Sequence, residues 1–345
     1  GKDEIMWASA LRSICADHIQ MCEWRKYPSV LTQSLISNDV EEEAILALMR
    51  TVENNVEVYR RYLRVKARLM NLPRLGNWDL IAPLPNDPGK KYTWSEARSS
   101  VVEAYTRFDE EFGQHADDMY GQRRIDAEVR KGKVSGAFCA SWLAGQSAFV
   151  LQSFNGLVGD VYTQAHELGH AIHACLGSRA QRPSNYEIGS CIAECGSTFG
   201  ELLLTEHLLS NSASNAEKQA VLCKVLDEFG MAAFQVSARY FFEQSIYGAI
   251  KAGKFLDGET LSSLWTAARD RIYGDAVEWL PEMKWEWTMK LHYYIPNYRF
   301  YNYPYVFAQL FVFAMYRLYR EQGEAFVPKV KALLSAGSSR SPGQL

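Results

Sequence analysis

The sequence predicts a mainly α-helical fold with one small β-hairpin or sheet, and three observations point there. Apolar residues recur at the helical period over most of the 345 residues. Between residues 132 and 159 the pattern changes, to short β-branched or aromatic runs bounded by glycines. Directly after that interruption comes "VYTQAHELGHAIHAC" (161–175), a compact apolar stretch rich in small residues that reads as helix again.

In chain order, "NDVEEEAILALMRTVENNVEVYRRYLRVKARLM" (38–70) reads as one long helix. Asn38 or Asp39 would cap it, and Glu41, Glu42 and Glu43 suit the positive end of its dipole. Ile45, Leu48, Val52, Val56, Tyr59 and Leu63 form its apolar stripe. Residues 72–92 hold four of the eleven prolines and make a long connector. Thr93 and Glu96 stand at capping-box spacing, which starts a helix near Ser95. "GAFCASW" and "QSAFVLQSFNG" supply the β-hairpin or sheet. Further helices are expected over 188–209, 215–252, 259–273 and 302–335.

Composition narrows the function. Hydrophobic residues at 48% and charged residues at 22% are those of a soluble globular chain, long enough for two domains or one large core. A net charge of −3 offers no basic surface, which argues against nucleic acid or an anionic membrane as partner. With no signal peptide and no apolar run of membrane-spanning length, a cytoplasmic location is expected. The seven cysteines are odd in number and include no CxxC pair, so buried reduced thiols are expected in place of disulfides or a cysteine zinc site. Gly1 at the start and "SAGSSRSPGQL" at the end read as the limits of a fragment.

The chemistry concentrates in 161–175. His166 and His170 lie about 40° apart around a helix and about 6 Å apart along it. That offset lets two imidazoles converge on one ion with bonds near 2.0 Å, as zinc requires. Glu167 falls beside the ion, placed to hold a water and take its proton. Chance would give on the order of 0.01 HExxH matches in such a chain. A third protein ligand is expected. His173 is one turn further along the same face, and it reads as a substrate contact, a neighbour of the ligands or a packing residue. On the next helix Glu194 and Glu201 are seven residues apart and are acidic residues inside its apolar body. Buried carboxylates are costly unless paired or metal-bound. One would ligate the metal and the other orient a ligand histidine, and spacing does not say which.

"DVYTQAHELGHAIH" followed by "AECGSTFGE" resembles the oligoendopeptidase F branch of the thimet-oligopeptidase-like zinc peptidases. "RKGKVSGAFCASW" and "YNYPYVFAQLF" fit the same family, so the resemblance runs from about residue 40 to the end. It implies a zincin-like metallopeptidase core, one Zn(2+) per chain on His166, His170 and Glu194, Glu167 as the catalytic carboxylate, and Glu201 behind a ligand. It also implies short unstructured peptides as substrates. Family enzymes carry a further N-terminal helical region, so 1–92 is expected to be the remainder of a larger N-terminal part and 93–345 the catalytic region.

Two more segments carry candidate roles. "HYYIPNYRFYNYPYVFAQL" (292–310) holds six tyrosines in thirteen residues. Such rings usually pack, but a fixed O–H or imidazole N–H can also stabilise the oxyanion formed when an amide is attacked. The resemblance places a histidine and tyrosines here for that purpose. By position His292, Tyr298 and Tyr305 are the catalytic choices, with Tyr301 a close alternative. In 136–156 an edge strand could pair with a peptide main chain, with Gly136 and Ala137 allowing close approach; a plain structural hairpin is the equal alternative. "GQSAF" (145–149) lacks the last glycine of a serine elbow and is set aside. The expected function is a zinc-dependent oligoendopeptidase. The alternatives are a non-catalytic peptide-binding homologue and a zinc hydrolase of another amide.

Overall fold

The structure is a computed structural model that describes residues 3–141 and 148–345. The chain forms two compact units, one from Gly1–Pro85 and Leu226–Phe307, the other from Asn86–Val225 and Ala308–Leu345. The first unit is thus assembled from two separated stretches. The expectation of a boundary after residue 92 stands beside that arrangement as a reading of the sequence alone.

The leading stretch holds α1 (Glu4–Trp24), α2 (Thr32–Asn38), α3 (Glu42–Asn54), α4 (Val56–Leu69) and the two-residue strand β1 (Leu75–Gly76). The middle of the chain holds α5 (Trp94–Phe108), α6 (Glu110–Gly121), β2 (Ile125–Asp126), β3 (Phe138–Ala140), β4 (Phe149–Leu151), α7 (Val158–Ala180), α8 (Ser190–Ala193) and α9 (Cys195–Asn211). Then come α10 (Asn215–Phe229), α11 (Val236–Lys251), α12 (Gly258–Tyr273), β5 (Val277–Glu278), α13 (Tyr303–Gln322) and α14 (Val327–Ser335).

Three of the expected long helices are broken, each for a local reason. The 38–70 helix is not continuous. Asp39 takes the left-handed conformation (φ 53°) and ends α2, and α3 starts only after Glu41. Asn55, with φ −114°, separates α3 from α4 while its amide donates to the Thr51 carbonyl at 2.8 Å. Short polar side chains compete in this way for backbone groups. The 188–209 helix breaks at Glu194 (φ −84°, ψ 1°). The 302–335 helix breaks at Gly323, whose φ of 61° a glycine adopts at no steric cost. Residues 215–252 stay helical but pass through a π-helical turn, Gly230–Gln235.

In the first unit Tyr59, Leu63, Phe234 and Tyr273 build the core, with Tyr59 stacked on Phe234 at 4.9 Å. Lys66 is fully buried there, bonded to Asp227 at 2.6 Å and to the Leu80 carbonyl at 2.8 Å. In the second unit β4 pairs in parallel with β2 and antiparallel with β3, giving a three-stranded sheet in the order β2-β4-β3. The Thr93–Glu96 capping box is present at the head of α5. Tyr105 from α5 donates to the Ala165 carbonyl of α7 at 2.6 Å, and Tyr162 of α7 meets Thr205 of α9 at 2.9 Å.

The contact between α7 and α9 is unusually close. A Cβ on Gly169 would lie 2.3 Å from the Gly196 carbonyl oxygen, and one on Gly196 would lie 2.7 Å from that of Gly169. Only glycine on both helices lets the two backbones meet here.

Candidate metal centre

α7 presents His166 and His170 on one half-buried face, their rings 4.9 Å apart and nearly perpendicular (82°). The close packing of α7 on α9 carries Glu194 and Glu201 to them. Glu194 Oε2 stands 3.4 Å from His166 Nε2 and 3.4 Å from His170 Nε2. Four donors around a tetrahedral zinc, at bonds of about 2.0–2.1 Å, are ~3.3–3.4 Å from one another. The observed spacing matches the edge of such a tetrahedron, and it is longer than a good hydrogen bond. One ligand atom from each of the three residues lies within 4.8 Å of the others.

Glu201 takes the other side of the same ring. Its Oε1 accepts from His166 Nδ1 at 2.5 Å, which holds a proton there and turns Nε2 toward Glu194. Ser197 donates to Glu194 Oε2 at 2.8 Å and holds that carboxylate in place. Glu194 thus faces both Nε2 atoms, and Glu201 backs one ring.

The electrostatics agree with a cation site. Three carboxylates, Glu167, Glu194 and Glu201, surround two imidazoles, an excess of negative charge that burial makes costly without a bound cation. Burial alone would lower the His166 pKa, yet the hydrogen bond and charge of Glu201, with Glu194 and Glu167, carry it up to about 9. Burial pushes Glu194 up, but His170 and His166 overcome it and draw the carboxyl down to about 2. Glu167 is only 5% exposed, and burial raises its pKa despite both histidines.

His173 lies deep in the same helix pair. It is 2% exposed, bonds the Ala193 backbone, and its Cβ would stand 3.0 Å from a Cβ on Gly196. A side chain so enclosed offers no surface to a substrate. Its visible task is packing, and it ties the turn just before Glu194 to α7. Burial, reinforced by His170, lowers its pKa to about 3, so the ring is neutral.

Gly136 (φ 92°) and Ala137 lead into β3, which lies at an edge of the sheet with Phe138 and Ala140 exposed. Gly145, Gln146 and Ser147 of the set-aside serine motif lie outside the described residues.

The histidine–tyrosine group belongs to the first unit. His292 Nε2 accepts from Asn302 Nδ2 at 3.0 Å, and its ring lies 5.9 Å from Tyr301. Tyr298 packs on Tyr301 at 4.9 Å, and the Tyr301 and Tyr305 hydroxyls bond at 2.7 Å. Burial first, then Arg239, Arg299 and Lys290, lower the His292 pKa to about 4.

Sequence reasoning passed over Ser197, Asn302 and the Gly169–Gly196 contact. The run of small residues in "ECGSTFG" carried a signal for close helix approach, but Asn302 stands among tyrosines with nothing local to mark it.

The family model for peptidase family M3 matches residues 2–345. The chain belongs to peptidase family M3. Among its relatives, "Oligoendopeptidase F, chromosomal" of Lactococcus lactis subsp. cremoris is 30% identical over 87% of this chain and 49% of its own length. A solved structure from Chlamydophila abortus is 25% identical with a TM-score of 0.87, covering 99% of this chain and 56% of that one. The solved oligoendopeptidase-F from Enterococcus faecium, at 23% identity and a TM-score of 0.71, covers 97% of this chain and 53% of that one and has the same fold. This M3 chain spans about half the length of the curated relatives it matches. Among its described residues, no helix is long and apolar enough to cross a membrane.

Proposed function

We propose that this chain carries the active site of a zinc-dependent oligoendopeptidase that hydrolyses internal bonds of short unstructured peptides. The observation that carries the reading is Glu194 Oε2 standing 3.4 Å from both histidine Nε2 atoms, with Glu201 holding the opposite nitrogen of His166. His166, His170 and Glu194 are the residues that would hold one zinc ion. When bound, the metal supplies Lewis acidity toward a carbonyl oxygen and toward water.

The remaining work falls to side chains of the chain. Glu167, buried beside His166 with a raised pKa, takes a proton from the attacking water and returns it to the leaving amine. Glu201 and Ser197 keep a ligand imidazole and a ligand carboxylate oriented. The open edge of β3 offers main-chain pairing to an extended peptide, with Gly136 and Ala137 at its start. The family resemblance is what supports His292, Tyr298 and Tyr305, with Tyr301 as alternative, as oxyanion donors. The names of the relatives, an oligoendopeptidase and an oligopeptidase, support short peptides as substrates.

The test pairs metal analysis with a zinc titration against a quenched fluorescent peptide, for the wild type and Glu167→Gln. The expected result is one zinc per chain in both and cleavage in the wild type alone. Equal cleavage by Glu167→Gln, or no zinc bound by either, overturns the reading.

A further inference from the structure

The loop that carries His292 is fixed far more firmly than a surface turn requires. Arg299, 3% exposed, donates through one guanidinium nitrogen to the carbonyls of His292, Tyr293 and Ile295 at 2.9, 2.8 and 3.0 Å. Its charge is faced by Glu243 of α11, wholly buried and 3.7 Å away. The next residue, Phe300, has φ 53°, a conformation costly for a bulky aromatic side chain. It is held there by its own N–H, which donates to Glu243 Oε1 at 3.0 Å, and by ring contacts with Tyr240 and Tyr247 at 5.5 and 5.6 Å. Two residues later Asn302, 1% exposed, reaches back to His292 Nε2.

This arrangement closes a ring of interactions from residue 292 to 302 and back. A backbone held in an unfavourable conformation persists only when its surroundings over-determine it, and such places cluster where side chains must be aimed. Here the strained step turns the chain so that Asn302 meets the imidazole. An amide N–H donated to Nε2 requires a lone pair there, so a neutral ring must carry its proton on Nδ1.

We propose that Asn302 and the Arg299–Glu243 pair are positioning residues for His292, holding its imidazole in the neutral Nδ1–H form and so determining which N–H is offered to the reaction. The proposal rests on the reading of His292 as an oxyanion donor. The charged groups acting on the ring, Arg239, Arg299 and Lys290, are all cationic and disfavour protonation, and Lys290 is paired with Glu286 at 2.6 Å.

The test uses the zinc-loaded full chain with ¹⁵N-labelled histidine. Long-range proton–nitrogen NMR assigns the tautomer of His292, and peptide cleavage gives kcat and KM for Asn302→Asp, Arg299→Lys and His292→Ala. In the wild type Nδ1 should carry the proton. Asn302→Asp replaces a donor by an acceptor of the same shape, so the proton should move to Nε2. Its kcat should then fall roughly 10- to 100-fold with KM within about 3-fold, against roughly 100- to 1,000-fold for His292→Ala. Arg299→Lys keeps the charge opposite Glu243 but loses the planar fork, and should lower kcat in the same sense. If it fails to fold, Asn302→Asp carries the test. An Nε2–H tautomer in the wild type, or an unchanged tautomer and kcat in Asn302→Asp, overturns the proposal. Full kcat in His292→Ala instead overturns the oxyanion reading beneath it, and the positioning role falls with it.

Discussion

Replacing Gly196 by alanine tests whether the approach of α9 to α7 sets the geometry of the metal centre. The new Cβ would lie 2.7 Å from the Gly169 carbonyl oxygen, where ordinary contact begins at 3.4 Å, so the shortfall is about 0.7 Å. The obstacle is backbone, which cannot rotate away, so α9 must retreat. Glu194 immediately precedes α9, and its 3.4 Å separations from both Nε2 atoms would lengthen with that retreat. Metal ligands tolerate only about 0.2 Å of displacement, so zinc affinity should fall roughly 10- to 100-fold. Stability should change less. Overpacking costs about 1–3 kcal/mol, and alanine in place of a helical glycine returns up to about 1 kcal/mol. Competition with a chromophoric chelator measures the affinity, and urea unfolding of the metal-free chain measures the stability. Gly159→Ala on α7, where a Cβ meets nothing within 4 Å, serves as the control and should leave affinity unchanged. A folded Gly196→Ala chain that binds zinc as tightly as Gly159→Ala would refute the argument.

Three further outcomes are expected. Glu201→Gln keeps a hydrogen-bond partner for His166 but removes the charge behind it, and should weaken zinc binding roughly 10-fold in the same chelator assay. Lys66→Met leaves Asp227 without the ammonium 2.6 Å away in the first unit, and urea unfolding should show a loss of about 3 kcal/mol. The unfolded chain protonates His292 below about pH 6.5, while the folded ring resists until about 4. Stability from this group is thus present above 6.5 and lost as pH falls toward 4, by at most about 3 kcal/mol for this half-buried ring. Unfolding curves at both pH values should show a smaller drop for His292→Gln than for the wild type.

The parts of the fold that could be read from the sequence are those fixed by neighbours in the chain. The capping box at Thr93 and Glu96 and the helix around His166 depend on contacts three or four residues apart, and both are present. Where the reading erred, one local signal was outweighed by another. Asn55 sits inside a good apolar period yet takes a conformation that a helix does not allow and ends one, while Asp39, expected to begin a helix, ends the one before it. The sheet shows a different limit. β2 is two residues long and joins β4 in parallel across residues 127–148, and no periodicity can be read from two residues. The first unit likewise joins stretches separated by 140 residues of the second, 86–225, a pairing that only tertiary burial determines.

The metal centre divides along the same line. His166, Glu167 and His170 lie within five residues, so helix geometry alone places them together. The choice between Glu194 and Glu201 could not be made that way, because residues seven apart share a face and differ by about 10 Å along the axis. An imidazole separates their positions, since its two nitrogens point to opposite sides of one ring. His166 bridges the interval, with Glu201 at Nδ1 and Glu194 beyond Nε2. Both contacts need α9 close enough for short glutamate side chains to span the gap, and that distance is set by Gly169 and Gly196, which carry no side chain at all. The residues most responsible for telling the two carboxylates apart are therefore ones that no list of ligand-forming residue types would include.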